Sequence, residues 1–332
     1  MKPKRVVVAI AGLFLATILV FRQDSSGGLN PKDPQSAAGV SDTASSSGTA
    51  VDDLIKNQSE SHSLRWFYRD PQTAAAGVAL VIHGLNLRPD RMQPIIATLT
   101  ESGIDVLGLS LRGHGENYAH GQGIDADRAR LETFKNVSYQ LWSNEAYLAY
   151  SQLKERGAEK GVPLFLAAFS LGGLIGLDLL AANDDVRFEK LVLFAPAIRL
   201  RPTIYLGRVL SPFGRLVIPS MAPESYLANK KGTPVAAYNA LFEGLNQFNQ
   251  HAGRQLNIPT LIFIDEQDEF IPLNQLKKLV AEKKWDQWRI YRIEKDQSAH
   301  DERFYHHIID VSSTGEAVWQ EMMNAVMDHL LN

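Results

Sequence analysis

Residues 162–182 read Val162-Pro163-Leu164-Phe165-Leu166-Ala167-Ala168-Phe169-Ser170-Leu171-Gly172-Gly173-Leu174-Ile175-Gly176-Leu177-Asp178-Leu179-Leu180-Ala181-Ala182. The first part is apolar and short, as a strand buried on both faces must be. From 173 to 182 the chain is apolar apart from Asp178, the mark of a buried helix. Ser170 falls on the tight turn between them. A serine there has its hydroxyl thrust out of the sheet, with a helix N-terminus beneath it. Such turns are normally written G-x-S-x-G; here Ala168 stands at the first glycine. That position needs a small side chain so that strand and helix can approach, and alanine is the next smallest. Serine is also a preferred helix N-cap, so the turn gains weight only from what accompanies it along the chain.

Outward from this unit, strands and helices alternate. Residues 77–82, 104–111, 191–195, 259–264 and 288–293 read as strands, and 62–68 as an alternating one. Residues 92–101, 138–156, 273–284 and 316–331 carry helical patterning. This alternation predicts an α/β fold with a mostly parallel central sheet and helices on both faces. Between about 197 and 255 the rhythm breaks into a stretch holding Pro202, Pro212, Pro219, Pro223 and several aromatic residues. It is expected to be a mobile cap inserted into the domain.

The 332 residues carry a net charge of -3, are 45% hydrophobic, and contain no cysteine. Disulfides and thiolate zinc sites are therefore excluded, and the scattered lysines and arginines give no nucleic-acid footprint. Lys2, Lys4 and Arg5 precede a 16-residue apolar run, 6–21. As a helix it would span ~24 Å, slightly less than a bilayer core of ~30 Å. The expectation is a signal anchor over 1–22, or a cleaved signal peptide, with the basic end in the cytoplasm and the rest outside it, on the periplasmic or extracellular face. A Ser-, Gly- and Asp-rich tether follows over 23–60, and the folded domain occupies 61–332.

Five segments then fall in a telling order: His83-Gly84 after one strand, Leu111-Arg112-Gly113-His114-Gly115 after the next, the Ser170 turn, and Asp268 and His300 after later strands. Serine, acid, histidine is the chain order of the α/β-hydrolase triad. The region from about 62 to 331 resembles the α/β-hydrolases, and within them the group of monoacylglycerol lipases, lysophospholipases and serine aminopeptidase-like enzymes. The L-R-G-H-G run and the cap position carry that likeness.

The resemblance implies a serine hydrolase of carboxylic esters. Serine is a weak nucleophile at neutral pH and needs a base to take its proton. His300, in Ser298-Ala299-His300-Asp301, is the expected base, with His306 and His307 in reserve. Asp268 is the expected carboxylate that orients the base, with Asp265 in reserve. Backbone N–H groups of Leu85 and Leu171 are expected to form the oxyanion hole. His83, Arg112 and His114 are read as supports of these loops. No cofactor or metal is implied. The expected partner is a small ester or lipid such as a monoacylglycerol or lysophospholipid, with the membrane reached through the N-terminal segment. Peptidase and thioesterase chemistry on the same triad, and a silent hydrolase fold that only binds, are the alternatives.

Overall fold

The computed structural model describes residues 63–120, 123–296, 299 and 304–332. The N-terminal anchor and tether expected from the sequence lie outside the described residues, and among those described no helix is long and apolar enough to cross a membrane.

The chain begins with β1 (Leu64–Phe67), β2 (Gly77–Ile82), α1 (Gln93–Glu101) and β3 (Ile104–Leu109). It continues through α2 (Ala126–Phe134), α3 (Tyr139–Lys160), β4 (Leu164–Phe169), α4 (Leu171–Ala182) and β5 (Lys190–Phe194). After the two-residue strands β6 (Val217–Ile218) and β7 (Thr233–Pro234) come α5 (Val235–His251), β8 (Thr260–Asp265) and α6 (Leu273–Lys283). The domain closes with β9 (Trp288–Ile293), α7 (Val311–Thr314) and α8 (Glu316–Leu331).

The main sheet has seven strands in the order β1-β3-β2-β4-β5-β8-β9. All its neighbours run parallel except β1, which pairs antiparallel with β3. Its central strands are buried along nearly their whole length, because helices cover both faces; this is why β2, β4 and β8 read as unbroken apolar runs rather than alternating ones. The chain leaves β2 for β3 on one side and returns to β4 on the other. The order therefore reverses between β2 and β4, and the crevice beyond their carboxyl ends is where such sheets bind ligands.

Most elements sit within a few residues of their predicted bounds. The helix expected at 138–156 is α3, capped by the Ser138 side chain accepting from Leu141 N–H at 3.2 Å and ended by Gly161 in the left-handed conformation at φ 65°. Besides the single-turn α7, two helices are absent from the sequence reading. One is α2, which starts where the Asp125 carboxylate accepts from Arg128 N–H. The other is α5, inside the stretch expected to be cap. Its Ala237, Ala240, Leu241, Leu245 and Phe248 are buried in the domain core, so it is the crossover that carries the chain from β5 back to β8. The irregular part is confined to 197–234, built of a long 3-10 stretch, Pro202–Phe213, and the β6–β7 pair.

Candidate active site

Ser170 is held in a backbone conformation unusual for a side-chain-bearing residue, φ 51° and ψ -113°. Its N–H donates to Phe194 O at 2.9 Å, and its carbonyl accepts from Ala197 N–H at 2.9 Å and Leu174 N–H at 3.2 Å. These bonds from β5, the following loop and α4 impose the strained turn that aims the hydroxyl out of the sheet. Gly172 is what lets α4 approach: a Cβ there would lie 2.3 Å from Ile82 O and 2.7 Å from His83 O. Ala168, by contrast, is fully buried in β4 between Ile82 and Leu193. The glycine after the serine is thus sterically required, and the one before it is replaceable by alanine.

His306 stands beside this hydroxyl. Its Nε2 is 2.8 Å from Ser170 Oγ, and its Nδ1 is 2.8 Å from Asp268 Oδ2. An ionised carboxylate can only accept, so Nδ1 carries the proton and Nε2 is left to accept from the serine hydroxyl. Asp268 is itself oriented, since its Oδ1 accepts from Phe270 N–H at 2.7 Å and Ile271 N–H at 2.8 Å. The three residues are 8%, 5% and 0% exposed for Ser170, His306 and Asp268, which keeps water from competing for these bonds. The rings of Phe169 and Phe270, each 5.0 Å from the imidazole centroid, wall it on two sides.

The sequence reading placed the base at His300, which lies outside the described residues. His306, the reserve, is the histidine that bridges Ser170 and Asp268. His307 points elsewhere, packing on Tyr226 and Phe304 with ring centroids 4.5 Å apart in both cases. Asp265, the reserve acid, is buried at the end of β8; its Oδ1 accepts from Gln267 N–H at 2.8 Å, and the His306 ring is bonded to Asp268 instead. Burial pushes its carboxyl above the usual range. Among the histidines after the last strand no local pattern distinguished 306, and only the fold does.

Leu171 N–H opens α4, among the first N–H groups of a helix that have no partner within it, at the positive end of the helix dipole. Leu85 follows Gly84, where a Cβ would meet the Phe169 ring at 2.7 Å and Ser170 Cβ at 3.3 Å. The loop of Leu85 therefore runs directly against the serine. Two buried histidines hold it. His83 Nδ1 donates to Gly84 O at 2.8 Å and its Nε2 accepts from Leu111 N–H at 3.0 Å. His114 Nε2 accepts from Asn86 N–H at 3.0 Å, and its Nδ1 donates to Leu111 O at 3.2 Å. Full burial lowers the His83 pKa to about 4 and depresses His114 well below its ordinary value, so both stay neutral with Nδ1 protonated. On the other flank, Asn86 takes a left-handed φ of 51°. Its side chain exchanges hydrogen bonds with the backbone of Asn229, 2.8 Å to N–H and 3.2 Å to the carbonyl. Arg112 lies beneath, its backbone N–H and guanidinium both donating to the buried Glu145 carboxylate.

A serine activated by an oriented imidazole beside unpaired backbone donors is equipped for attack on a carbonyl carbon. Residues 73–233 match the serine aminopeptidase S33 family of hydrolases; that span includes Ser170 and ends before Asp268 and His306. Among solved structures, the chain is similar to a soluble variant of the monoglyceride lipase of Saccharomyces cerevisiae in complex with a substrate analogue (14% identity, TM-score 0.62, covering 80% of this chain and 90% of that one). It is also similar to the monoacylglycerol lipase of Paleococcus ferrophilus (18%, TM-score 0.56, 81% and 98%). A third likeness is to a thermostable carboxyl esterase of Bacillus coagulans (12%, TM-score 0.54, 80% and 92%). At these identities the likeness is one of fold. No curated protein sequence matches the chain. The chain has the α/β-hydrolase fold.

Proposed function

We propose that this protein is a serine hydrolase of carboxylic esters, with Ser170 as nucleophile, His306 as general base and acid, and Asp268 as the carboxylate that orients it. The single observation that carries the reading is the unbroken 2.8 Å, 2.8 Å relay from Ser170 Oγ through His306 to Asp268. In the first half-reaction the hydroxyl proton passes to His306 Nε2 as Oγ attacks the ester carbon. The negative charge on the former carbonyl oxygen is met by the N–H groups of Leu171 and Leu85. The imidazolium, steadied by Asp268, then returns its proton to the departing alcohol and leaves an acyl-serine. In the second half-reaction His306 takes a proton from water, and the same donors receive the charge as the acid is released.

A lipid-like ester, such as a monoacylglycerol or lysophospholipid, suits the surface near the site. The stretch 197–234 exposes Leu206, Val209, Phe213 and Met221. The same stretch carries Arg199, Arg201, Arg208, Arg215, Lys230 and Lys231 against the single acid Glu224, on a chain of net charge -3. An apolar surface with a cationic surround favours work at a lipid interface. The apolar run at 6–21, behind Lys2, Lys4 and Arg5, supports a membrane-anchored placement with the hydrolase domain outside the cytoplasm. An aminopeptidase reading needs a buried acid to hold a free amino terminus. In the stretch 197–234 Glu224 is exposed and paired with Lys230, and on the crossover helix α5 Glu243 is exposed.

The test is hydrolysis of p-nitrophenyl esters from acetate to palmitate by the protein and three variants. Ser170→Ala and His306→Ala are expected to lose ~10⁴-fold or more in kcat, while His300→Ala keeps most of it. If His300→Ala is dead and His306→Ala active, the assignment of the base is wrong. Activity that survives Ser170→Ala removes the nucleophile.

A further inference from the structure

Two carboxylates sit side by side in the loop after β8, and they grip the same residue from opposite sides. Asp268 takes the imidazole of His306. Glu269 takes its backbone: Oε2 accepts from His306 N–H at 3.0 Å and Oε1 from Tyr305 N–H at 3.0 Å. The main chain at 305–306 is thus tied through one side chain to the loop that supplies the triad acid, 37 residues away in sequence for His306. No helix or strand begins at 304–306 to fix that backbone, because β9 ends at Ile293 and α7 starts at Val311. The grip of Glu269 replaces the missing secondary structure.

We infer that Glu269 is a positioning residue for the hydrolytic reaction, holding the His306 backbone so that its ring spans Ser170 and Asp268, and adding a second negative charge beside the imidazolium that forms during attack. The inference rests on the proposed roles of Ser170 and His306. The geometry argues for both parts. A serine–imidazole contact of 2.8 Å leaves little slack, and displacement of a catalytic group by ~1 Å costs ~10²-fold in rate. The two N–H donors occupy one oxygen each, so neither amide nor alanine can reproduce the bidentate grip. The charged groups around this loop are Asp265, Glu266, Asp268, His306, Arg201, Arg292, which pairs with Glu266 at 2.8 Å, and Lys295, whose Nζ donates to Phe304 O at 2.6 Å. The Arg201 guanidinium donates to Asp268 O rather than to the Glu269 carboxylate. Burial, as the largest influence, raises the Glu269 carboxyl above its ordinary range, and the neighbouring charge of Asp268 pushes the same way. The backbone donors and His306 oppose that rise.

The experiment is the pH profile of kcat/KM on a soluble p-nitrophenyl ester for the full chain and for Glu269→Gln and Glu269→Asp, with melting temperatures measured alongside. Gln keeps one acceptor and loses the charge. It is expected to lower kcat by ~10-fold or more with little change in KM, and to move the acid limb of the profile to lower pH by roughly half a unit, because a positive imidazole has lost a nearby negative charge. Asp keeps the charge on a shorter stem and should leave the limb in place while losing part of kcat. A purely structural role would show as a lower melting temperature, or a lower kcat, with the limb unmoved in Glu269→Gln; that outcome, or wild-type kinetics in both variants, overturns the inference. Loss of the underlying triad reading is separately visible, because Ser170→Ala and His306→Ala would then retain activity.

Discussion

His83 illustrates how a residue that takes no part in the chemistry is bound to it. It is fully buried, with one nitrogen donating to the Gly84 carbonyl and the other accepting from Leu111 N–H. Its pKa of about 4 lies below the value of 6.5 expected in the unfolded chain. Between those values the unfolded chain takes up a proton that the native chain refuses, so stability falls as pH drops from 6.5 towards 4 and the loss is complete below 4. The gap between 6.5 and about 4 corresponds to roughly 3 kcal/mol. Glu145, Glu269 and Asp265, whose carboxyls are raised by burial, pull the other way. The effect is therefore read as a difference: His83→Gln should flatten the fall in urea-unfolding free energy between pH 6.5 and 4.5 relative to the wild type. Equal slopes would remove His83 from the account. Gly172 makes a sharper residue-scale prediction. Gly172→Ala drives a Cβ onto the backbone of Ile82 and His83, so it should destabilise by ~2 kcal/mol or more and depress kcat by displacing the Leu85 loop. An enzyme of unchanged stability and rate would contradict it.

Among the elements, α4 shows how a helix that follows Ser170 is fixed towards its far end. It is buried from Leu171 to Leu180, and its one charged residue, Asp178, is 2% exposed. Tyr139 OH of α3 donates to Asp178 Oδ2 at 2.7 Å, and His251 Nδ1 at the end of α5 lies 2.8 Å from Oδ1. A buried carboxylate with a partner on each oxygen joins three helices that otherwise meet only through apolar contact. The fit between α3 and α5 is close, since a Cβ on Gly244 would strike the Tyr139 ring at 2.3 Å. Tyr139→Phe removes one bond to a buried charge and is expected to cost ~1.5–3 kcal/mol, read as a shift of the urea midpoint; a change below about 0.5 kcal/mol would mean that Asp178 is satisfied without it. The sequence of α5 shows why this helix was missed. Val235, Ala237, Leu241, Leu245 and Phe248 follow helical spacing, but they come after a proline-rich run, and a helix begun by Pro234 has no side-chain N-cap to announce it.

For the molecule as a whole, the order reversal between β2 and β4 gathers the Leu85 loop and Ser170 at one crevice, while β8 and the segment after β9 bring Asp268 and His306 to it from the far half of the chain. The stretch 197–234 presents an exposed apolar and basic surface close to this crevice, joined to its rim by the bridge between Leu87 and Leu227 and by the Asn86–Asn229 pair. A double variant, Leu206→Ser with Phe213→Ser, leaves the triad untouched. It should hydrolyse soluble p-nitrophenyl acetate at the wild-type rate and lose ~10-fold or more on dispersed long-chain esters, since two exposed apolar side chains would each gain ~1.5–3 kcal/mol on being buried in lipid. Equal loss on both substrates would assign the residues to folding, and no loss on either would detach this surface from substrate binding.

The α/β alternation, the strained serine turn and the acid-bearing loop after the eighth strand were legible from the chain alone, because each is dictated locally: by the period of apolar residues, by small residues about a serine, and by where a strand must end. The division between cap and crossover was not legible, since α5 differs from a surface helix only in what it packs against. Nor was the base. His300, His306 and His307 follow the last strand within eight residues of one another, and any of them satisfies the chain order of a hydrolase. What selects His306 is simultaneous contact with Ser170, 136 residues earlier, and with Asp268, 38 residues earlier. Those distances are set by sheet order and by the grip of Glu269 on the backbone, and a property so long in range has no local signature in sequence.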